Sequence, residues 1–319
     1  MIEIKNLSIK IKGESIIDGL SLDIDDQDTY AVFMGKGCGK TALASALCGA
    51  LEADSGEILI DGEIIDTENS GLKSRIGFYS ADMEIPKFMS IREVLSFIGR
   101  SRGASPEDLE SQVDEALALV ELDEIDKCSV ATLTPCQRAY LGVAMTLVGK
   151  PSLIVYDDIF KGLDKKETAG LSELLKMISS KKRVLLICST PVAAATFCTH
   201  AVFVKDSKVL LNSSIENIER EIRKTREMRI SVRGSAEAVS ERILKLPEVI
   251  KTTVGSEKGG VVLLSVEYRD DDKIKDKLFA AMAEISSPIL SYEEVSVSIS
   301  DVYHTLISDK RSDGEGGAK

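Results

Sequence analysis

Two runs constrain the fold most: 153–158, reading LIVYDD, and 183–189, reading RVLLICS. Neither shows the alternation of a strand with one wet face. A continuous apolar run of this length suits a strand covered on both sides, the condition inside a parallel sheet layered between helices. Further strand candidates at 2–5, 29–34, 57–60, 75–79 and 201–205 alternate with helix candidates at 41–51, 91–100, 106–119, 137–148 and 166–179. That alternation over the first 215 residues predicts an α/β domain. With 319 residues the chain is long enough for about two domains. A charge-dense stretch at 216–227 suits a helical connector. Beyond it, 228–307 restarts as β-α-β-β-α, close to a ferredoxin-like α+β unit, and 308–319 reads as a disordered Gly- and charge-rich tail.

The segment MGKGCGKT, Met34–Thr41, falls between a predicted strand and helix. Glycines let successive backbone N–H groups turn towards phosphate oxygens, and a helix N-terminus adds a favourable dipole. Lys40 would reach the outer phosphates of a nucleotide and the Thr41 hydroxyl would ligate Mg²⁺. Gly35, Lys36, Gly37, Cys38, Gly39 and Ala42 complete the cradle. Met34 stands where the full GxxxxGK[ST] motif has its first glycine, so the cradle's entry is altered. Asp157, closing the LIVYDD strand, is placed for an acidic Mg²⁺ partner.

Charge and cysteine usage exclude other classes. Fifty-two acidic against 40 basic residues give a net charge of −12, which disfavours a nucleic-acid binder. Six cysteines without a CxxC pair, and only two histidines, argue against a zinc or redox centre. Residues 184–204 hold no Asp, Glu, Lys or Arg, but Ser189-Thr190-Pro191 interrupts them; they read as strand–turn–helix–strand and not as a membrane span. Asp270-Asp271-Asp272 reads as a solvated helix cap.

In order along the chain, MIEIKNLSIK, IIDGLSLDI, the phosphate loop, LEADSGEILIDGEII, IGFYSADMEIPKFMSIREVLSF, ATLTPCQRAYLGVAMTLVGKPSLIVYDDIFKGLD and SISDVYHTLIS resemble the ATP-binding subunits of ATP-binding cassette (ABC) transporters. The match is to single-cassette exporter subunits with a small C-terminal domain, and it covers nearly the whole chain. The resemblance implies a P-loop NTPase cassette, a RecA-like core plus helical subdomain, with ATP and Mg²⁺ as ligands. It also implies a second cassette as dimer partner, a membrane-spanning permease, and a place on the cytoplasmic side of the membrane. The apolar patch Met83, Ile85, Phe88 and Met89 falls where such subunits receive the permease.

The same resemblance exposes departures at the active positions. Ile11 stands where an aromatic stacks on adenine, and Ala81 where a glutamine senses Mg²⁺ and water. The LSGGQ signature reads Leu133, Thr134, Pro135, Cys136, Gln137; Pro135 has no N–H to donate and Cys136 adds a side chain. Asp158 replaces the catalytic glutamate, one methylene shorter. The switch histidine is absent, with Ser189 or Pro191 at its place. His200 reads as a surface or packing residue, and His304 lies in the last helix. Gly162, Leu163 and Asp164 of the inter-subunit loop are intact. Since both kinds of damage sit in one chain, a homodimer would hold two poor sites, and an intact partner would leave each composite site short of one half. The expectation is MgATP binding with hydrolysis slow or absent. The alternative is a degenerate cassette that senses nucleotide or serves as a structural partner of an intact one. DNA-repair and translation cassettes are disfavoured by the single cassette, the lack of a heptad insertion and the acidic charge.

Overall fold

In the computed structural model the two apolar runs lie side by side in the middle of a sheet. Residues 1–25, 29–189, 191, 193–218, 225–269, 273–295 and 298–307 are described. They divide into two units, one of Met1–Ile215 with the described residues from Ile299 on, the other of Glu216–Ser298.

The first unit begins with an antiparallel hairpin, β1 (Ile2–Ile11) and β2 (Glu14–Ile24), followed by β3 (Tyr30–Met34) and α1 (Lys40–Leu47). β4 (Ser55–Ile60) and the two-residue β5 (Glu63–Ile64) extend the hairpin into a four-stranded sheet of order β2-β1-β4-β5. Then come α2 (Ser70–Ser74), β6 (Ile76–Ser80), α3 (Ile91–Ser101), α4 (Pro106–Leu119) and α5 (Pro135–Leu147). β7 (Leu153–Asp157), α6 (Lys165–Ser179), β8 (Arg183–Cys188), β9 (His200–Lys205) and β10 (Lys208–Ser214) complete the core. The six-stranded sheet runs β10-β9-β3-β8-β7-β6, parallel except for β10, with β7 and β8 flanked on both sides. Every residue of β7 is buried, as the unbroken apolar run requires.

Two glycines set how closely α5 lies on β6. A Cβ on Gly77 would meet the Thr146 carbonyl oxygen at 2.3 Å, and one on Gly142 would meet the Tyr79 ring at 2.5 Å. The strand that leads to Ala81 and the helix that begins at Pro135 are therefore packed backbone to backbone, with no room for a methyl group.

The second unit comprises β11 (Thr225–Arg233), α7 (Ala236–Leu244), β12 (Val249–Lys258), β13 (Val261–Arg269), α8 (Ile274–Glu284) and β14 (Ile289–Val295). Its antiparallel sheet has the order β12-β13-β11-β14, the ferredoxin-like arrangement. Met228, Ile230, Val232, Val262, Leu264 and Val266 alternate inward along β11 and β13 to meet Val239, Ile243 and Leu278 of the two helices. Residues 225–227, expected in a helical connector, are instead the start of β11, which pairs with β13 throughout its length. Residues 219–224, 270–272 and 308–319 lie outside the described residues.

The last helix, α9 (Ile299–Leu306), was expected in the small domain but belongs to the first unit. The reason is packing. Tyr303 meets Phe33 of β3 edge-on with ring centroids 6.2 Å apart, and Ile307 is buried with its Cγ2 3.4 Å from where a Cβ on Gly35 would sit. Of the apolar patch 83–89, Ile85 is a core residue, whereas Phe88 is 89% exposed.

Candidate nucleotide site

The phosphate loop turns because its glycines adopt conformations closed to other residues. Gly37 and Gly39 have φ of 81° and 86°, and a Cβ on Gly39 would strike Ile16 and Ile17 of β2 at 2.9 Å. The loop is pinned by Cys38 N donating to Gly35 O at 3.2 Å. α1 then starts at Lys40 with no side chain capping it, so its first N–H groups remain available to an anion. Lys36 and Gly37 are exposed, Gly35, Cys38 and Gly39 half-buried, and Ala42 is buried against the core.

Asp157 collects the site. Its Oδ2 accepts from Thr41 Oγ1 at 2.8 Å and from Ser80 Oγ at 2.9 Å, while its Oδ1 is buried without a hydrogen-bond partner among the described residues. Burial pushes its pKa above the usual carboxylate range; Thr41 and Ser80 oppose the shift and Asp158 adds to it. A buried carboxylate with one orphaned oxygen beside a threonine hydroxyl fits a hard, oxygen-seeking cation. No group of three or more His, Cys, Asp or Glu is assembled for a metal among the described residues. Thr41 and Asp157 therefore suit Mg²⁺, which takes most of its ligands from phosphate and water, and which when bound spreads charge across phosphate oxygens.

The raised pKa makes a stability prediction. The penalty of an ionised Asp157 is absent at acid pH and sets in as pH rises through its folded-state pKa. Without nucleotide, Asp157→Asn is expected to melt about 2–4 °C above the parent at pH 8. The gap should vanish near pH 4, close to the unfolded carboxylate pKa of about 3.9. Thermal melts at both pH values check it; an equal gap at the two would contradict the assignment.

Asp158 sits at φ 48° directly after β7. Its Oδ1 accepts from Ser189 N at 2.8 Å and Ser189 Oγ at 3.1 Å, and its Oδ2 lies 3.6 Å from Lys40 Nζ. Oδ1 is thus hydrogen-bonded twice by Ser189, and Oδ2 faces the phosphate-loop lysine as an ion pair. The next turn carries Lys161, whose Nζ donates to both oxygens of Asp82 at 2.6 and 2.8 Å, tying the segment after Ala81 to the Gly162–Asp164 loop. Ala81 N in turn donates to Asp157 O at 3.0 Å. Ser189 was singled out in the sequence as a candidate for the switch place; Ser80 and the Lys161–Asp82 pair were not. The only sequence signal of the latter three is adjacency to Ala81 and Gly162.

LTPCQ is built as a helix start. Thr134 is the N-cap, its Oγ1 accepting from Gln137 N at 3.2 Å while Gln137 Oε1 accepts from Thr134 N at 3.0 Å; Pro135 takes the first helical position. This capping box extends α5 two residues earlier than expected. It also consumes donors. Pro135 has no N–H, Gln137 N is capped, and only the Cys136 N–H remains free in the first three positions. Burial raises the Cys136 thiol, and the carboxylates of Glu167 and Asp164 add to the shift, so it is not an activated thiolate. Asp164 itself caps α6, accepting from Glu167 N at 2.8 Å.

Ile11 ends β1 and is 42% exposed, as an adenine-facing residue must be, but the hairpin residues that touch the phosphate loop are Ile16 and Ile17. Pro191 is buried and makes no hydrogen bond to Asp158. His200 stacks on Tyr30 at 4.9 Å between centroids, the packing role expected of it.

Residues 17–161 match the family model for ABC transporters. The spermidine/putrescine import ATP-binding protein PotA of Haemophilus influenzae is 27% identical over 68% of this chain and 59% of its own length. A relative from Caldanaerobacter subterraneus, named as an ABC transporter ATP-binding protein, is 24% identical over 76% of this chain and 43% of its own. The chain thus spans less than two thirds of the length of both relatives. The solved structure of cbiO1 from Clostridium perfringens, part of the ABC transporter complex cbiONQ, superposes with a TM-score of 0.60 at 22% identity, covering 77% of this chain and 95% of that one. The matched residues include the phosphate loop and the Asp157 strand and lie within the first unit: it is a nucleotide-binding domain of the ABC transporter family.

Proposed function

We propose that the chain is the ATP-binding subunit of an ABC exporter, working on the cytoplasmic side of the membrane with a separate membrane-spanning permease and a second cassette, identical or not. MgATP binds with its phosphates in the loop Gly35–Thr41, Lys40 against the outer phosphates, and Thr41 with Asp157 holding the Mg²⁺. No helix among the described residues is long and apolar enough to cross a membrane, which fits a permease supplied as another chain. The export direction rests on the small second unit and the closing SISDVYHTLIS segment, features shared with exporter subunits. The division into cassette and small C-terminal domain belongs to the same reading.

Hydrolysis is slow or absent, and the observation that carries this is Asp158 Oδ1 accepting from both Ser189 N and Ser189 Oγ. A general base must face the attacking water; this carboxylate is turned to Ser189. Loss of such positioning is costly in phosphoryl transfer, where the protein contributes little else. The second reading, a degenerate cassette that senses nucleotide beside an intact one, is favoured by the helix start at Thr134. One free N–H at Cys136 is a weak grip on a partner's γ-phosphate.

Phosphate release by the purified chain, alone and with its co-encoded membrane and cassette subunits, tests the reading. The expected turnover is well below about 1 per second. Turnover of ~1–10 per second that Lys40→Ala abolishes would falsify slow hydrolysis while leaving the transporter assignment intact.

A further inference from the structure

Away from the nucleotide site, a cavity of about 440 Å³ opens between α4, the C-terminal end of α5 and the C-terminal end of α6. Its size falls in the range of small-molecule sites. Ala116, Leu119, Leu147 and Met177 give it an apolar wall, and two of these are left in water: Met177 is 57% exposed and Leu119 42%.

The polar groups at the cavity are almost all donors. Gln112 is 91% buried, being 9% exposed. Its Oε1 accepts from Gly149 N at 2.9 Å, which fixes the amide orientation, and its NH₂ has no partner among the described residues. The NH₂ is not sealed from solvent, so it is a donor left open to water or to a ligand. Lys150, Lys181 and Lys182 stand at the rim in a chain of net charge −12. Lys182 Nζ is occupied by Pro151 O at 3.1 Å, leaving Lys150 and Lys181 exposed. The one acid, Glu115, already accepts from Ser111 Oγ at 3.2 Å. Cations after helix C-termini complement the helix dipole, which accounts for lysines here. It does not account for the open apolar wall beside them.

We propose that this cavity binds a small amphipathic anion, an alkyl chain ending in a carboxylate. The chain lies on Ala116, Leu119, Leu147 and Met177, and the carboxylate accepts from Gln112 and faces Lys150 and Lys181. Donors without acceptors select an anion over a cation, and the apolar wall selects an alkyl body over a free phosphate or sulfate. The cavity lies at the far ends of the two helices that begin at Pro135 and Lys165, next to the inter-subunit motifs, so its occupant would touch the elements that carry them.

Calorimetric titration of the full chain with decanoate, decanol and decyltrimethylammonium, without nucleotide, tests this. Decanoate is expected to bind saturably at one site per chain, decanol about tenfold or more weaker, and the cation not at all. Lys150→Glu combined with Lys181→Glu should weaken decanoate about tenfold or more and leave decanol and the melting curve unchanged. Ala116→Phe should abolish both ligands by filling the space; if it does not fold, the surface lysine pair decides alone. Absence of saturable decanoate binding, equal affinity for decanol and decanoate, or indifference to the charge reversal each overturns the proposal.

Discussion

Gly77→Ala is expected to destabilise the first unit by about 3 kcal/mol or more, at the upper end of core overpacking. The added Cβ would lie 2.3 Å from the Thr146 carbonyl oxygen and 3.1 Å from Pro151 Cγ. Backbone oxygen cannot rotate away as a side chain can. Thr146 is also held, its Oγ1 donating to Val143 O at 2.7 Å and lying 2.9 Å from the buried Tyr156 hydroxyl. Relief therefore requires α5 to lift off β6, which would open the packing of Gly142 on Tyr79 as well. Urea unfolding of the two proteins measures the difference, and a change below about 1 kcal/mol would show that α5 sits further from the sheet. Where the variant still folds, the displacement should appear at Thr134–Gln137, because that segment starts the same helix.

The second large effect is on nucleotide. Lys40→Ala should lower MgATP affinity by roughly two orders of magnitude, in line with about 2–5 kcal/mol for a buried charged contact. Lys40 is 9% exposed, so its ammonium is already largely withdrawn from water and poised between the loop and Asp158. Removing it leaves Asp158 with the two Ser189 bonds, which keep that carboxylate anchored. The fold should survive, with binding lost and the melting temperature nearly unchanged. Titration with a fluorescent ATP analogue checks the first point and a thermal melt the second. Retention of parental affinity would remove the phosphate-loop role from Lys40.

How much of this was legible in the sequence depends on the range of the interaction concerned. LIVYDD and RVLLICS announced the central strands because burial on both faces leaves no polar position to spare. The start of α5 is likewise local information: T-P-x-Q encodes its own cap, although comparison with a glycine signature drew attention to what was missing and not to the capping box. β2 was harder, because Gly19 at φ 70° breaks its alternation and its register to β1 shifts repeatedly. β14 is mostly exposed along its length, so no apolar pattern marks it. Of the partners of Asp157, Thr41 was legible through the shared Mg²⁺ role, whereas Ser80, and Ser189 and Lys40 beside Asp158, are brought there by strand order. Nor was the placement of α9, whose amphipathic face does not say which core it will join.

That placement bears on the order in which the molecule can be made. Phe33 and Gly35 are translated well before Tyr303 and Ile307. The whole of Glu216–Ser298 intervenes. A ribosome adding about 5–20 residues per second exposes the phosphate loop many seconds before its last neighbours emerge. Contacts of such sequence separation close late, after the loop between them has been brought together. The nucleotide loop of a nascent chain thus matures in two stages, with Ile16 and Ile17 in place early and the Ile307 side left open to solvent until that later helix has been made.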